Sequence, residues 1–179
     1  VDLDFDIKKN INLLCDAKKT TPEKITVCIL NRPRHKNIIS SLKSMNVRIE
    51  FIEDGDVSGV ISVAEKKSKV DIYIGTGGGP EGVLAAAALK CLGCQMQTRL
   101  VFNNNSEKER AHSLGIKDLQ KKYNINDMVK DDVIFCATGV TDGDLLLGIK
   151  EDSKYFYSET LVLHQSSRTN KIIKNKIKK

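Results

Sequence analysis

Asp71-Ile-Tyr-Ile-Gly75-Thr-Gly-Gly-Gly-Pro80-Glu-Gly-Val-Leu-Ala85-Ala-Ala-Ala-Leu-Lys90 is the stretch whose reading decides the fold. It opens as an apolar strand, Val70 to Ile74, then crosses a turn too rich in glycine to pack, and continues as a helix from about Pro80. Proline suits the first helical turn, where its missing N–H costs nothing. Glu81 sets a carboxylate beside the positive end of the helix macrodipole. The glycines leave backbone N–H groups bare to a ligand. A strand, a bare loop and a helix start make an anion site. A carboxylate inside that site calls for a bound cation.

Upstream, the same rhythm appears twice more. Ile25–Leu30 is a continuous apolar run, the pattern of a strand buried on both faces, followed by the polar turn Asn31–His35 and a helix over Ile38–Met45. Val47–Ile52 reads as a strand, Asp54–Asp56 as a turn and Val57–Lys66 as a helix. Ahead of them, Asp4–Lys19 places Ile7, Ile11, Leu14 and Cys15 on one helical face. Strand–loop–helix alternation predicts an α/β layered sandwich with a mostly parallel or mixed sheet flanked by helices. Ligands of such sheets sit beyond the carboxyl ends of the strands, so the loops Asn31–His35, Asp54–Asp56 and Gly75–Gly82 are expected to meet there.

Downstream, Met96–Phe102 predicts another strand and Glu107–Leu114 a helix. Val133–Thr138 reads as a buried strand entering the loop Gly139–Asp144, and Thr160–His164 with Asn170–Ile173 as an antiparallel pair.

A length of 179 residues predicts one domain with a proper core. The chain starts Val-Asp-Leu without an initiator methionine, which points to a piece of something longer. No apolar run approaches the ~20 residues that span a bilayer, and no signal-peptide pattern opens the chain, so the reading is cytoplasmic with no membrane partner. The net charge of +6 traces to one place. Residues 168–179 hold six basic residues and no acid, and the remainder of the chain is balanced. That makes a solvated basic tail and not a nucleic-acid surface, and with no Trp a base-stacking platform is also disfavoured. Five cysteines, an odd number lying partly in apolar runs, read as reduced, mostly buried thiols. Cys91 and Cys94 have CxxC spacing without a second metal-binding pair, and are taken as core cysteines at a helix end.

Gly77-x-Gly79-x-x-Gly82 matches the dinucleotide fingerprint formally. Glu81 would repel a pyrophosphate there, and the next strand runs into Asn103-Asn-Asn105 with no acid for a ribose. A cation suits the glutamate better. Arg32-Pro33-Arg34 sets two guanidiniums on a stiffened loop, matching phosphate oxygens in bidentate fashion; the alternative is a solvated surface loop. Asp54-Gly55-Asp56 offers carboxylates to sugar hydroxyls, with Asp56 also suited to cap a helix, whereas Thr141-Asp-Gly-Asp144 reads as a turn. His35 is read as the start of a helix, and His112 and His164 receive no role.

Together Leu30-Asn-Arg-Pro-Arg-His35, Asp54-Gly-Asp56, Gly75–Leu89, Met96–Leu100, Ala137–Leu146 and Glu159-Thr-Leu161 resemble the class II fructose-1,6-bisphosphatases, bacterial members of the lithium-sensitive sugar phosphatases. The resemblance covers roughly Thr26 to Arg168; Asn31 stands where the family usually has aspartate, and Thr76 and Gly79 where it has bulkier residues. It implies hydrolysis of the 1-phosphate of fructose 1,6-bisphosphate to fructose 6-phosphate, in gluconeogenesis. Arg32, Pro33, Arg34, Asp54, Gly55, Asp56 and Gly78 would bind the substrate, and Glu81 would be a ligand of Mn2+ or Mg2+. It also implies a homo-oligomer. The family's other metal ligands lie in an earlier half, partly on an Asp-Pro motif, and no Asp-Pro occurs here. The resemblance therefore identifies this chain as the C-terminal half, without the water-activating carboxylates and with no phosphatase activity by itself. Two alternatives stand beside it: a sugar-phosphate-binding or assembly module without catalysis, and sedoheptulose 1,7-bisphosphatase activity.

Overall fold

The computed structural model describes residues 1–179. Its first half is organised by a parallel sheet in the order β2–β1–β3, from β1 (Thr26–Leu30), β2 (Arg48–Ile52) and β3 (Ile72–Tyr73). Thr26 lies opposite Arg48, Leu30 opposite Ile52, and Val27 opposite both Ile49 and Ile72. Every residue of β1 is buried, as an apolar run without alternation requires of a central strand.

Helices α1 (Ile7–Lys18) and α2 (Lys36–Ser44) cover one face of this sheet. Ile11, Cys15 and Leu42 pack there on Ile25, Val27 and Val47. Asp6 caps α1 by accepting the Lys9 N–H at 2.7 Å, and Lys19 ends it in the left-handed conformation. On the opposite face runs α3 (Asp56–Ser62), shorter than the spacing predicts. It approaches the sheet through Gly59, where an added Cβ would stand 2.7 Å from Ile52 Cδ1 and 3.2 Å from Cys28 Sγ.

The helix of the decisive stretch, α4 (Gly79–Leu92), is apolar nearly all round, which marks a helix buried on more than one side. Ala85, Ala86 and Leu89 pack with Val60 of α3 and with Ile125 of α6 (Ile125–Met128). Ala88 instead meets Phe135, Leu161 and Leu163 of a second sheet. That sheet is antiparallel and joins β6 (Ile134–Thr138), β7 (Lys150–Glu151), β8 (Tyr155–His164) and β9 (Thr169–Lys178), with β8 paired to the other three. The layers run helix, parallel sheet, helix, antiparallel sheet, an α/β sandwich.

Several local expectations are revised. The basic stretch 168–179 is no tail, because β9 pairs with β8 from His164 opposite Thr169 to Tyr155 opposite Lys178. Its lysines stay in solvent while three find partners: Lys174 on Glu159 at 2.9 Å, Lys179 on Glu151 at 2.7 Å, and Lys176 over the Tyr155 ring at 4.0 Å. Strand β6 is only half-buried, with Phe135 inward and Ile134 and Cys136 exposed. The strand expected over Met96–Phe102 shrinks to β4 (Gln97–Thr98), which pairs with β5 (Tyr123–Asn124) in a small separate sheet. Helix α5 (Asn105–Ser113) is capped by Asn104, whose side chain accepts the Glu107 N–H at 2.9 Å. Cys15 and Cys28 are buried, Cys91 and Cys94 half-buried, and Cys136 exposed; all are free. No helix is long and apolar enough to cross a membrane.

Candidate functional site

The three loops that leave the carboxyl ends of β1, β2 and β3 lie along one edge of the parallel sheet, and polar contacts tie them together. Asn31 donates its N–H to the Ile52 carbonyl at 2.9 Å and its side-chain amide to Glu53 Oε1 at 2.9 Å. The Arg32 guanidinium turns to the same neighbour, donating to the Glu53 carbonyl and facing its carboxylate at 3.8 Å. Arg34 reaches the other way and donates Nε–H to the Thr76 carbonyl at 2.8 Å. The two arginines of the motif are thus anchored to different loops.

His35 stands at the start of a helix as the sequence predicts, at the N-cap position of α2, and it also ends a 3-10 turn (Pro33–His35) and is only 1% exposed. Its Nδ1 lies 2.8 Å from the Leu30 carbonyl, and its Nε2 accepts the Thr76 N–H at 2.9 Å. A carbonyl on one nitrogen and an N–H on the other place the single ring proton on Nδ1. The sequence offered one signal for this role: a histidine one residue past the arginine loop, on the edge where a bare loop must be held.

In the acid–Gly–acid turn, Gly55 takes the left-handed conformation at φ 75°, which its lack of a side chain permits. Asp54 is exposed, its Oδ1 accepting the Gly55 N–H at 2.8 Å. Asp56 is the first residue of α3, not its cap, and accepts the Val57 N–H at 2.9 Å. Its other carboxylate oxygen rests on the glycine loop, where a methyl built on Gly77 would overlap it. A methyl on Gly78 would overlap the carboxylate of the exposed Glu81 in the same way. Gly78 precedes α4 in extended conformation, with Pro80 and Glu81 in the helix's first turn, whose N–H groups have no intrahelical acceptors. Beneath the loop, burial above all and then the Asp56 charge push the Tyr73 phenol up to about 12, so the wall of the site is neutral.

The structure brings Arg34, Asp56, Gly78 and Glu81 around one glycine loop, with Arg32 and Asp54 on the flanking turns. No three His, Cys, Asp or Glu side chains converge to hold a metal ion. Glu81 and Asp56 fit a cation's oxygen chemistry, but they do not complete a coordination shell.

Elsewhere His164, given no role from the sequence, does have partners. Its Nε2 faces Asp132 Oδ2 at 2.9 Å and Ser166 Oγ at 3.1 Å, and its Nδ1 meets Ser167 Oγ at 2.8 Å. These contacts lie at the turn between β8 and β9, 32 residues from Asp132, a separation no local spacing exposes. The loop Thr141–Asp144 behaves as the turn expected of it: Asp142 accepts the Gly148 N–H at 2.9 Å and pairs with Lys150 at 2.5 Å.

Residues 1–177 match the family described as bacterial fructose-1,6-bisphosphatase, glpX-encoded, beyond both ends of the stretch that carries the motifs. A class 2 fructose-1,6-bisphosphatase of Haemophilus influenzae is 33% identical over 94% of this chain and 55% of its own length. A class 2 D-fructose 1,6-bisphosphatase/sedoheptulose 1,7-bisphosphatase of Synechocystis is 32% identical over 97% of this chain and 54% of its own. Its namesake in Synechococcus is 30% identical over the same shares. The chain spans about half the length of the curated relatives it matches.

Proposed function

The chain belongs to the bacterial, glpX-encoded fructose-1,6-bisphosphatase family, and from that premise we propose that its loops form the substrate half of a sugar-bisphosphate phosphatase site. In this reading Arg32, Pro33, Arg34, Asp54, Gly55, Asp56 and Gly78 bind the sugar bisphosphate. Glu81 supplies one ligand to a divalent cation, Mn2+ or Mg2+. The reaction is hydrolysis of the 1-phosphate of fructose 1,6-bisphosphate, completed by carboxylates from the length of the relatives that this chain does not match. A bound cation would polarise the phosphoryl group and lower the pKa of an attacking water. Isolated, the chain binds and does not turn over. A cytoplasmic setting and assembly with further copies belong to the same proposal.

The observation that supports this reading best is the pair of carboxylates folded onto neighbouring glycines, Asp56 on Gly77 and Glu81 on Gly78. Negative groups held against a bare loop at a helix start favour a cation-bridged phosphate over a naked one. Arg34 contributes charge of the opposite sign. Only its Nε is spent on Thr76, so its terminal nitrogens remain a fork for phosphate oxygens. Arg32 gives its fork to Glu53 and acts chiefly by holding the loop. The names of the Synechocystis and Synechococcus relatives favour a second substrate, sedoheptulose 1,7-bisphosphate, on the same residues.

Calorimetric titration of the chain with fructose 1,6-bisphosphate and Mn2+ tests the reading. Arg34→Ala is expected to weaken binding by ~1.5–3 kcal/mol, the scale of a charge-assisted hydrogen bond, and Arg32→Ala by less. Equal affinity for wild type and Arg34→Ala would move the phosphate site elsewhere.

A further inference from the structure

We propose that His35 is the positioning residue of this site, holding the glycine loop in register with the arginine loop; the proposal rests on the substrate-site reading above. The glycine loop has few side chains with which to pack, and its glycines lose more conformational freedom on ordering than other residues would. Something must hold it. The two polar contacts that reach Thr76 both come from the arginine loop, and from consecutive residues. Arg34 Nε–H donates to the Thr76 carbonyl at 2.8 Å, and the Thr76 N–H donates to His35 Nε2 at 2.9 Å.

The ring itself is anchored to the end of the central strand. Its Nδ1–H donates to the carbonyl of Leu30, the last residue of β1, at 2.8 Å. Pro33 shapes the 3-10 turn that swings the imidazole inward, with the His35 N–H donating to the Arg32 carbonyl at 2.9 Å. The ring edge also lies under Gly75, where a Cβ would sit 3.4 Å from His35 Cε1. One residue after Thr76 begins the pair of glycines on which Asp56 and Glu81 rest. The position of the imidazole therefore sets where Arg34, Asp56 and Glu81 stand relative to one another. His35 touches no reacting atom in this arrangement. It acts through Thr76.

Two substitutions separate this role from simple core filling. Glutamine places Oε1 near the position of Nε2 and retains the acceptor for Thr76, while asparagine places Nδ2 near Nδ1 and retains only the bond to Leu30. Amide hydrogen exchange on the 15N-labelled chain reads the loop directly. His35→Asn is expected to speed exchange at Thr76 by about tenfold and to weaken fructose 1,6-bisphosphate binding by about fivefold, with His35→Gln within about twofold of wild type in both. Long-range 1H–15N spectra of the wild-type ring should show the Nδ1–H form. Equal Thr76 exchange in all three proteins, or an Nε2–H ring in wild type, overturns the proposal, and the ring measurement stands even where a variant fails to fold. Failure of wild type to bind the bisphosphate would instead overturn the substrate reading, with the exchange and ring measurements still deciding the role of His35.

Discussion

The carboxylate of Asp56, at the start of α3, rests on Gly77 so closely that a single methyl there would displace it. Two loops that leave different strands thereby share one surface. Gly77 does not adopt a positive φ, so alanine is compatible with its backbone. Gly77→Ala is expected to leave the midpoint of urea unfolding within the equivalent of about 1 kcal/mol, because the displaced group is the free end of a side chain. Affinity for a sugar bisphosphate should fall by about tenfold or more as the carboxylate is driven from its place. Unchanged affinity would mean that Asp56 takes no part.

Glu81 separates a metal ligand from a helix-end charge. If it is a ligand, Glu81→Gln keeps the helix start and removes one charge from the cation. Mn2+ added to the wild-type chain should broaden the amide signals around Gly77–Glu81, and the variant should need markedly more Mn2+ for the same effect. Stability should change by only ~0.3–1 kcal/mol, the worth of a carboxylate in a first helical turn. Broadening that is identical in both proteins would leave Glu81 as a dipole partner alone. On the substrate-half reading, a phosphate-release assay of the chain alone with fructose 1,6-bisphosphate and Mn2+ or Mg2+ should stay at background, and chelator-sensitive turnover would overturn that reading.

Gly59 tests the packing beneath the site. Its missing side chain lets α3 close on Ile52, Cys28 and Tyr73, and alanine there must move Ile52 Cδ1 from 2.7 Å. Gly59→Ala is expected to destabilise the chain by ~1–3 kcal/mol through overpacking. Gly82→Ala is the control. Nothing lies within 4 Å of a Cβ at Gly82, so alanine there should be neutral or should stabilise by ~0.5–1 kcal/mol. Denaturant midpoints of the two variants check both directions at once.

The Asp132–His164 pair predicts a pH dependence. Hydrogen bonds from Ser166 first, and from His164, hold the Asp132 carboxyl down at about 2, against an ordinary value of 3.8. A folded-state pKa below the unfolded one adds stability that is fully present above the unfolded value and disappears as pH falls through the folded one. The contribution of Asp132 should therefore fade between about pH 4 and pH 2. Asp132→Asn should unfold more easily than wild type at pH 6 and approach it towards pH 2. Curves for the two proteins that run parallel down to pH 2 would remove Asp132 from the acid response.

The positions of Arg32–Arg34, Asp54–Asp56 and Glu81 on one edge of the sheet were legible in the chain, because strand–loop–helix order sends all three loops to the strands' carboxyl ends. What the loops do to one another was not legible. The spacing of Arg32 and Arg34 says nothing of one turning to Glu53 and the other to Thr76. The antiparallel pairing of Asn170–Ile173 with Thr160–His164 was legible, but the basic run hid how far β9 extends, to Lys178, since a lysine-rich strand at a sheet edge has the composition of a solvated tail.

By itself the amino-acid order determined the strand Thr26–Leu30 buried on both faces, the glycine loop opening into an apolar helix, and the family to which those motifs belong. These are properties of runs of neighbours, written in hydrophobic period and in the steric freedom of glycine. Only the tertiary structure decided that His35 grips Thr76, 41 residues away, and that His164 has Asp132 for a partner. A hydrogen bond is directional and reaches about 3 Å, so its partner is settled by where packing places two distant backbones and not by any local pattern.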